Sequence, residues 1–145
     1  MAVTPLIFNV FYKDAYNAVH DFDTHTFKCA FTNTAPDAAT DGVLADITQI
    51  SAANGYSAGG VTLDNVTLSR TGSTAKVTID DEVFTASSGS VGPFEHFVIY
   101  NDTAAGDPLV CYITRDEGAT TLSDGESITL DFNATTGILT HGAAA

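Results

Sequence analysis

Basic residues are scarce in this sequence, which has five lysines and arginines against 18 aspartates and glutamates, for a net charge of −13. Such a surface repels nucleic-acid phosphates, which argues against DNA reading or packaging. It also disfavours binding to an anionic membrane, and it keeps an abundant protein soluble. The acids are scattered through turns and strand edges, so we expect most of them to form a solvated face.

Long apolar runs are also missing, and none approaches the length of a membrane span. The start, Met1–Phe8, has neither a basic region nor a cleavage site, so we expect no secretory signal. The sequence contains no P-loop, dinucleotide fingerprint, zinc-ligand spacing or basic-aromatic platform. We therefore predict no cofactor, no metal, no nucleic-acid partner and no membrane partner.

Only two cysteines occur, Cys29 and Cys111, and they lie far apart in the sequence. Each alternates with apolar neighbours, so we expect both to point inward as small core residues. A disulfide would need adjacent strands and an oxidising compartment, and nothing in the sequence indicates either.

The composition is that of a globular protein, with 145 residues of which 44% are apolar and 10% aromatic. This is the length of one domain. Helical spacing appears once, near the start, with Asn9 as a candidate cap. The residues that recur with this spacing are Phe8, Phe11, Tyr12, Ala15, Tyr16 and Val19.

From residue 26 the apolar period becomes two, as in Thr26–Thr32 and Ser127–Phe132. The phase slips within Val61–Ser69, where a bulge at Asp64-Asn65 would keep Val61, Leu63, Val66 and Leu68 facing the core. Asp80-Asp81 suits a tight turn into the next strand. We predict an all-β fold, a jelly-roll-like β-sandwich of about eight short antiparallel strands with one N-terminal helix. It forms a single domain over 1–145, with an arm and helix at 1–22 and the sandwich at 26–141.

The most apolar stretch is a predicted hairpin, Gly92–Asp102 followed by Asp107–Thr114. Phe94, Val98 and Tyr100 share one parity of the first strand, and Phe97 and Ile99 share the other. A strand apolar on both parities is covered on both faces. One cover is the opposing sheet; the other is either the Phe8–Val19 helix or a neighbouring subunit.

Three patterns have a possible chemical reading, and for each we favour the structural one. Gly55–Gly59 matches G-x-S-x-G, but a nucleophile elbow needs a strand before it and a helix after it, whereas a strand follows here. Asp21, Asp23 and His25 alternate like metal ligands, yet a solvated helix-to-strand connection is favoured. His96 is expected to be a neutral core or interface histidine rather than a catalytic base.

Several segments together resemble a group of small tailed-bacteriophage virion proteins, and most of all the cement or decoration proteins on the outside of heads. The resemblance spans nearly the whole chain and lies in turns and core residues. It implies an all-β module that oligomerises and binds the major capsid protein, and it supplies no catalytic residues. The segments are the aromatic N-terminal helix, Thr26–Pro36, Val43–Ile47, Gly55–Gly60, Gly92–Phe94, Tyr100–Asp102, Asp107–Leu109 and Asp124–Glu126.

The expected function is therefore a non-enzymatic capsid cement protein on the capsid exterior of the virion, which stabilises contacts between major capsid protein subunits and forms a homo-oligomer (dimer or trimer). The alternative is a tail- or fibre-associated adsorption module with exposed loop aromatics such as Tyr56. A hydrolase using Ser57 is a third possibility. The predicted capsid or subunit contacts are Leu6, Ile7, Phe8, Phe11, Tyr12, Phe94, His96 and Phe97.

Overall fold

The computed structural model describes residues 4–142. Within that range the chain forms twelve short strands and one α-helix, and its antiparallel sheets build an all-β, sandwich-like fold. The predicted fold class is confirmed, with more and shorter strands than expected, whereas the jelly-roll connectivity stays a prediction. The first three residues of the predicted arm lie outside the described residues, as do the last three residues of the 142–145 tail, which the sequence predicts to fray.

The elements follow one another along the chain with short connections. In order they are β1 (Leu6–Ile7), α1 (Asn9–Tyr16), β2 (Phe27–Thr32), a 3₁₀ turn (Leu44–Asp46), β3 (Val61–Thr62), β4 (Thr67–Thr71), β5 (Thr74–Thr78), β6 (Glu82–Thr85), β7 (Val91–Phe94), β8 (His96–Asn101), β9 (Leu109–Thr114), β10 (Thr120–Leu122), β11 (Ser127–Leu130) and β12 (Leu139–His141).

The largest sheet has five strands in the order β1-β9-β8-β2-β3, and a second sheet has three in the order β12-β5-β4. Two strand pairs, β10-β7 and β11-β6, complete the sandwich. At the centre of the large sheet Ile99 pairs with Cys29 on one side and Cys111 on the other. Both cysteines are free and fully buried, as predicted.

Strand β8 is buried along its whole length, which confirms the prediction that both of its faces are covered. On one face Phe97 and Ile99 belong to the main hydrophobic cluster. On the other, Val98 and Tyr100 belong to a second cluster together with Phe8. The packing of two clusters against one strand explains why its sequence does not alternate between apolar and polar residues.

The second face of β8 is covered within this chain, in part by the N-terminal end of the predicted Phe8–Val19 helix. Phe8, just before α1, fills this cluster with its ring 5.3 Å from that of Tyr112. Ala38, Leu44 and Ile47, from the long connection between β2 and β3, pack on the same cluster. Within α1 itself, Val10 packs on this second cluster, whereas Phe11 packs against the main cluster.

The predicted Gly92–Asp102 strand changes partners part-way along. Its first part, β7, pairs with β10, and after Glu95 its second part, β8, pairs with β2 and β9. Strands that switch sheets at a bend are common at the corners of sandwiches. The bend also corrects a parity assignment, since Phe94 joins Phe97 in the main cluster and not Val98 in the second.

The predicted Val61–Ser69 strand with a bulge is wrong, because the segment forms two strands in different sheets. Strand β3 pairs with β2, and β4 pairs with β5. Between them Asn65 has a φ of 51°, in the left-handed region that asparagine tolerates, and its side chain donates to Asp80 Oδ2 at 2.6 Å. Leu68, which the bulge would have turned inward, is 45% exposed.

The Asp80-Asp81 turn does not close a hairpin, which corrects a second local prediction. Strand β5 pairs with β4 and β12, whereas β6 pairs with β11, so the turn leads from one sheet to another. Asp81 Oδ1 accepts the Phe132 N–H at 2.8 Å, and Glu82 Oε1 accepts the Asp64 N–H at 2.8 Å. These acids therefore satisfy backbone donors of neighbouring segments.

The helix is shorter than the predicted Phe8–Val19 stripe, and Asn9 is not its cap. Phe8 holds the N-cap position with extended backbone, and the Asn9 N–H donates to Ala38 O at 2.8 Å. At the other end the N–H groups of Ala18 and Val19 donate to Ala15 O and Asp14 O, with Ala18 at a φ of 58°. This is a Schellman motif, and it ends the helix at Tyr16.

Gly60 is required by a close backbone approach and not only by its φ of 83°. A Cβ at this position would lie 1.9 Å from the Cys29 carbonyl oxygen in β2. We expect Gly60→Ala to lower the free energy of unfolding by more than about 3 kcal/mol, measured by urea unfolding. Gly72→Ala is the matched control, because Gly72 has a φ of 59° with nothing within 4 Å. Equal losses in the two variants would contradict the close approach.

Candidate functional site

The predicted contact residues are divided between the core and the surface. Phe8, Phe94 and Phe97 are fully buried, and His96 is 6% exposed. Ile7 and Phe11 are partly buried against the main cluster. Leu6 and Tyr12 are exposed, at 57% and 54%. Within this chain, the surface open to a partner therefore comes from the N-terminal segment and not from β7 and β8.

His96 occupies a structural position. Its Nδ1 lies 2.9 Å from Thr114 Oγ1 on the paired strand β9, and its ring meets that of Tyr112 edge-on. Burial lowers the pKa of His96, with the negative charge of Glu95 opposing the shift. A neutral, hydrogen-bonded imidazole is what the sequence predicts here.

An apolar groove runs between α1 and the β12-β5-β4 sheet, and we call it the helix groove. It consists of two adjoining hollows of about 260 and about 410 Å³, which share Phe11, Ala15, Leu139 and His141 as lining residues. The smaller hollow is closed by His20, Phe22, Leu68 and Val77, and the larger by Ile7, Tyr12 and Tyr16.

Large apolar side chains that face solvent gather around this groove. Tyr16 is 84% exposed, Tyr12 54% and Leu68 45%, and all three line one of its hollows. The i, i+4 spacing of Tyr12 and Tyr16 places them on one side of α1. Tyr16 lies in the helical stripe of the sequence but not among the predicted contacts. The sequence does not predict Leu68 as a contact residue, because its pattern places this side chain in the core.

The helix groove differs in charge from the rest of the chain. None of the residues from 4–142 that line it is acidic, although the sequence contains 18 acids. Lys76, His20 and His141 line it instead. Arg70 lies two residues beyond Leu68 on β4, opposite Ala75, and so faces the same side of the sheet. The groove is therefore an apolar and weakly basic strip on an acidic protein.

Beneath one wall of the groove lies a partly buried polar cluster of His20, Asn101 and His25. Asn101, at the end of β8, is 0% exposed. Its Nδ2 lies 3.2 Å from His20 Nδ1 and 2.9 Å from His25 Nδ1. Its Oδ1 accepts the N–H groups of Thr103 at 3.0 Å and Ala104 at 3.1 Å. This cluster holds the segment after α1 against the large sheet.

His20 connects that cluster to the groove. Its ring stacks on Phe11 at a centroid distance of 5.2 Å and on Phe22 at 6.0 Å. Burial lowers the pKa of His20, Asp14 opposes this shift, and His25 adds to it. The position of the His20 ring thus affects both the helix wall and the floor of the smaller hollow.

The Asp21–His25 segment is a turn and not the extended row that metal binding would need. Asp21 Oδ1 accepts the Asp23 N–H at 3.0 Å, and Asp21 Oδ2 accepts the Thr24 hydroxyl at 2.7 Å. These bonds lower the pKa of Asp21, the Thr24 hydroxyl most of all. Within residues 4–142, no group of three or more His, Cys, Asp or Glu side chains is placed to hold a metal ion.

The G-x-S-x-G segment is a connecting loop built around Tyr56. The Tyr56 hydroxyl accepts the Phe31 N–H at 2.9 Å and donates to Gln49 Oε1 at 3.1 Å. Burial raises the pKa of Tyr56 to about 12. Ser57 is exposed on this loop, which leads into β3 and not into a helix. Tyr56 is 3% exposed, so the expectation of an exposed aromatic at this position is wrong.

Comparison with known proteins adds no relative to this picture. No family model, no curated protein and no solved structure matches the chain. In the part of the chain that the structure describes, no helix has the length and apolarity needed to cross a bilayer.

Proposed function

We propose that this chain is a non-enzymatic virion structural protein, a cement or decoration protein that binds the outside of a tailed-phage head. It stabilises contacts between neighbouring subunits of the major capsid protein. The proposal is supported by the resemblance of its turn and core segments to such proteins and by the surface of the helix groove. The sandwich acts as a rigid support that presents this groove.

The observation that carries the proposal is the gathering of Tyr12, Tyr16 and Leu68 around an acid-free groove. Contiguous exposed apolar surface on a soluble protein marks a site of interaction, and tyrosine is among the residues that contribute most to interfaces. An enzyme pocket would instead bring polar reactive groups together. Here His20 lines the smaller hollow, but its Nδ1 faces the fully buried amide of Asn101 behind the wall.

The chemistry of the groove indicates what it binds. Its two hollows accept aliphatic or aromatic side chains of a capsid segment. His141, and Arg70 at the end of the β4-β5 hairpin, favour carboxylates beside that segment, whereas the Lys76 ammonium donates to Thr135 O at 3.0 Å. The acidic remainder of this chain would repel such a segment, so charge helps to set the orientation of binding.

Oligomerisation belongs to the same proposal. A dimer or trimer would present two or three helix grooves, and a head carries many copies of its capsid subunit. Modest contact energy at each groove is then multiplied through effective concentration. Loss of the exposed side chains of Tyr12, Tyr16 and Leu68 should therefore reduce the occupancy of heads more steeply than it reduces the affinity of one groove.

The test is reconstitution onto heads purified without this protein from the virus that encodes it. We expect saturable binding of the folded chain and greater resistance of the decorated heads to heat or dilution. Failure to bind, together with its absence from purified particles, would contradict the proposal. Binding to host cells but not to heads would indicate the adsorption module instead, a function weakened by the burial of Tyr56.

A further inference from the structure

The orientation of the Asn101 amide is fixed by its own strand end. Its Oδ1 accepts two backbone N–H groups, those of Thr103 and Ala104, so this atom is the oxygen and the other is the nitrogen. Exchanging the two would set an NH₂ group against two N–H donors. The amide nitrogen therefore faces the imidazoles of His20 and His25.

This orientation determines which ring nitrogen of each histidine accepts a hydrogen bond. The amide nitrogen only donates, and its neighbours are the two Nδ1 atoms at 3.2 and 2.9 Å and, at a longer distance of 3.5 Å, Val19 O. Each Nδ1 must therefore accept, which makes both imidazoles neutral with the proton on Nε2. His25 Nδ1 also lies 3.3 Å from the Asp21 N–H, a second donor that requires the same tautomer.

We propose that His20, Asn101 and His25 form an acid-sensitive latch that regulates the helix groove. At neutral pH two neutral imidazoles hold the segment 19–25 on the end of β8. A proton on His20 Nδ1 sets N–H against N–H, breaks that bond and releases the segment. Because His20 stacks on Phe11 and Phe22, release alters the wall of the groove. The inference rests on the proposed function only for what the groove binds.

The charged and titratable groups around the latch come from several elements. Burial lowers the pKa of His20 from its ordinary value of 6.5, Asp14 on α1 opposes this shift, and His25 adds to it. Lys76 on β5 and His141 on β12 line the hollow beside His20. Asp21 lies beside His25. The unfolded chain therefore binds more protons than the folded chain below 6.5, and the latch loses stability as the pH falls through that range.

The first experiment uses the free protein and detects the tautomers directly. Ring-nitrogen NMR of the ¹⁵N-labelled wild-type chain at about pH 7.5 should show His20 and His25 with the proton on Nε2. On acidification to about pH 5.5, the amide signals of α1 and the ring signals of Phe11 should shift together with His20. A neutral Nδ1–H tautomer in either ring would overturn the proposal, as would groove signals that ignore the titration.

The second experiment reverses the sign of the switch. Asn101→Asp keeps the shape and the Oδ1 acceptor but replaces the donor with a carboxylate oxygen. We expect it to raise the pKa of His20 above the wild-type value and to hold the segment better at acid pH than at about pH 8. The matched control is His141→Gln, which changes another groove histidine without a bond to Asn101. A His20 titration in Asn101→Asp that matches the wild type would overturn the latch.

Binding to heads separates the latch from the proposed function. Affinity for undecorated heads should fall roughly tenfold between about pH 7.5 and pH 5.5, because a released His20 with its ordinary pKa of 6.5 takes up one proton over about the last pH unit of that interval. The NMR tests need no heads, so an intact latch with no binding to heads overturns only the proposed function. Unchanged affinity with an opened latch overturns the regulation and leaves the function standing.

Discussion

Replacing Tyr12, Tyr16 and Leu68 together by serine will abolish most binding to heads while leaving the fold intact. These side chains are 54%, 84% and 45% exposed and line the helix groove. Truncation of the few aromatic residues that dominate an interface costs about 2 kcal/mol or more each, and these effects are not additive. We expect a loss of about 100-fold or more in affinity for undecorated heads, close to 2.7 kcal/mol. Titration of labelled protein onto heads measures it.

The control for this variant is Val83→Ser. Val83 is 61% exposed, as apolar as Leu68, and lies on β6 outside both hollows. It should bind heads as the wild type does. The triple variant should also unfold within about 1 kcal/mol of wild type, because exposed side chains contribute little to stability. Equal loss of binding in both variants would point to general surface hydrophobicity and against the groove.

Phe97→Ala will lower the free energy of unfolding by about 3–5 kcal/mol, as expected for the deletion of a buried aromatic ring. Phe97 is 0% exposed, and its ring meets Phe31 at 5.0 Å and Phe94 at 5.7 Å. In the strand register Phe97 stands opposite Phe31 and Ile113 at the middle of the large sheet, where a cavity cannot collapse easily. Urea unfolding followed by far-UV circular dichroism measures the change.

The comparison variant is Tyr16→Ala, which should change the free energy of unfolding by less than about 0.5 kcal/mol. Together the two variants separate two roles that the sequence does not distinguish, packing in the core and contact with a partner. A small loss in Phe97→Ala, or loss of head binding by a fully folded Phe97→Ala protein, would return this residue to the contact surface. We expect Phe97 to affect the binding of heads only through its effect on folding.

The sequence predicts the local features of this fold well. Alternation places Phe27, Cys29 and Phe31 inward, and the double parity of the Phe97–Tyr100 run predicts a strand covered on both faces. Helical spacing finds α1 and includes Tyr16 in its stripe. Each of these depends on residues close together in the chain, whose periodicity follows directly from the geometry of helices and strands.

What the sequence could not predict depends on pairing between distant segments. The Glu95 N–H donates to Thr32 O at the point where the chain passes from β7 to β8, and so from one sheet to another. Asn65 ends a strand because its left-handed backbone and its bond to Asp80 separate β3 from β4. No local period marks either event. The corresponding errors are the parity of Phe94 and the burial of Leu68.

The latch shows the same limit for the candidate site. His20 and His25 flank a segment that the sequence pattern predicts only as a connection. Asn101 lies 81 residues from His20 and 76 residues from His25 along the chain. A buried asparagine at a strand end, with two backbone donors on its oxygen, has no counterpart in sequence spacing. The groove likewise depends on the approach of α1 to β12, which come from opposite ends of the described chain.

The most direct test of the central claim is electron cryomicroscopy of heads reconstituted with this protein. The account predicts density for the sandwich on the outer surface of the head, with α1 and the β12-β5-β4 sheet facing the capsid and a capsid segment lying in the helix groove. Density in which the groove faces solvent, or heads that remain bare at saturating protein, would contradict it.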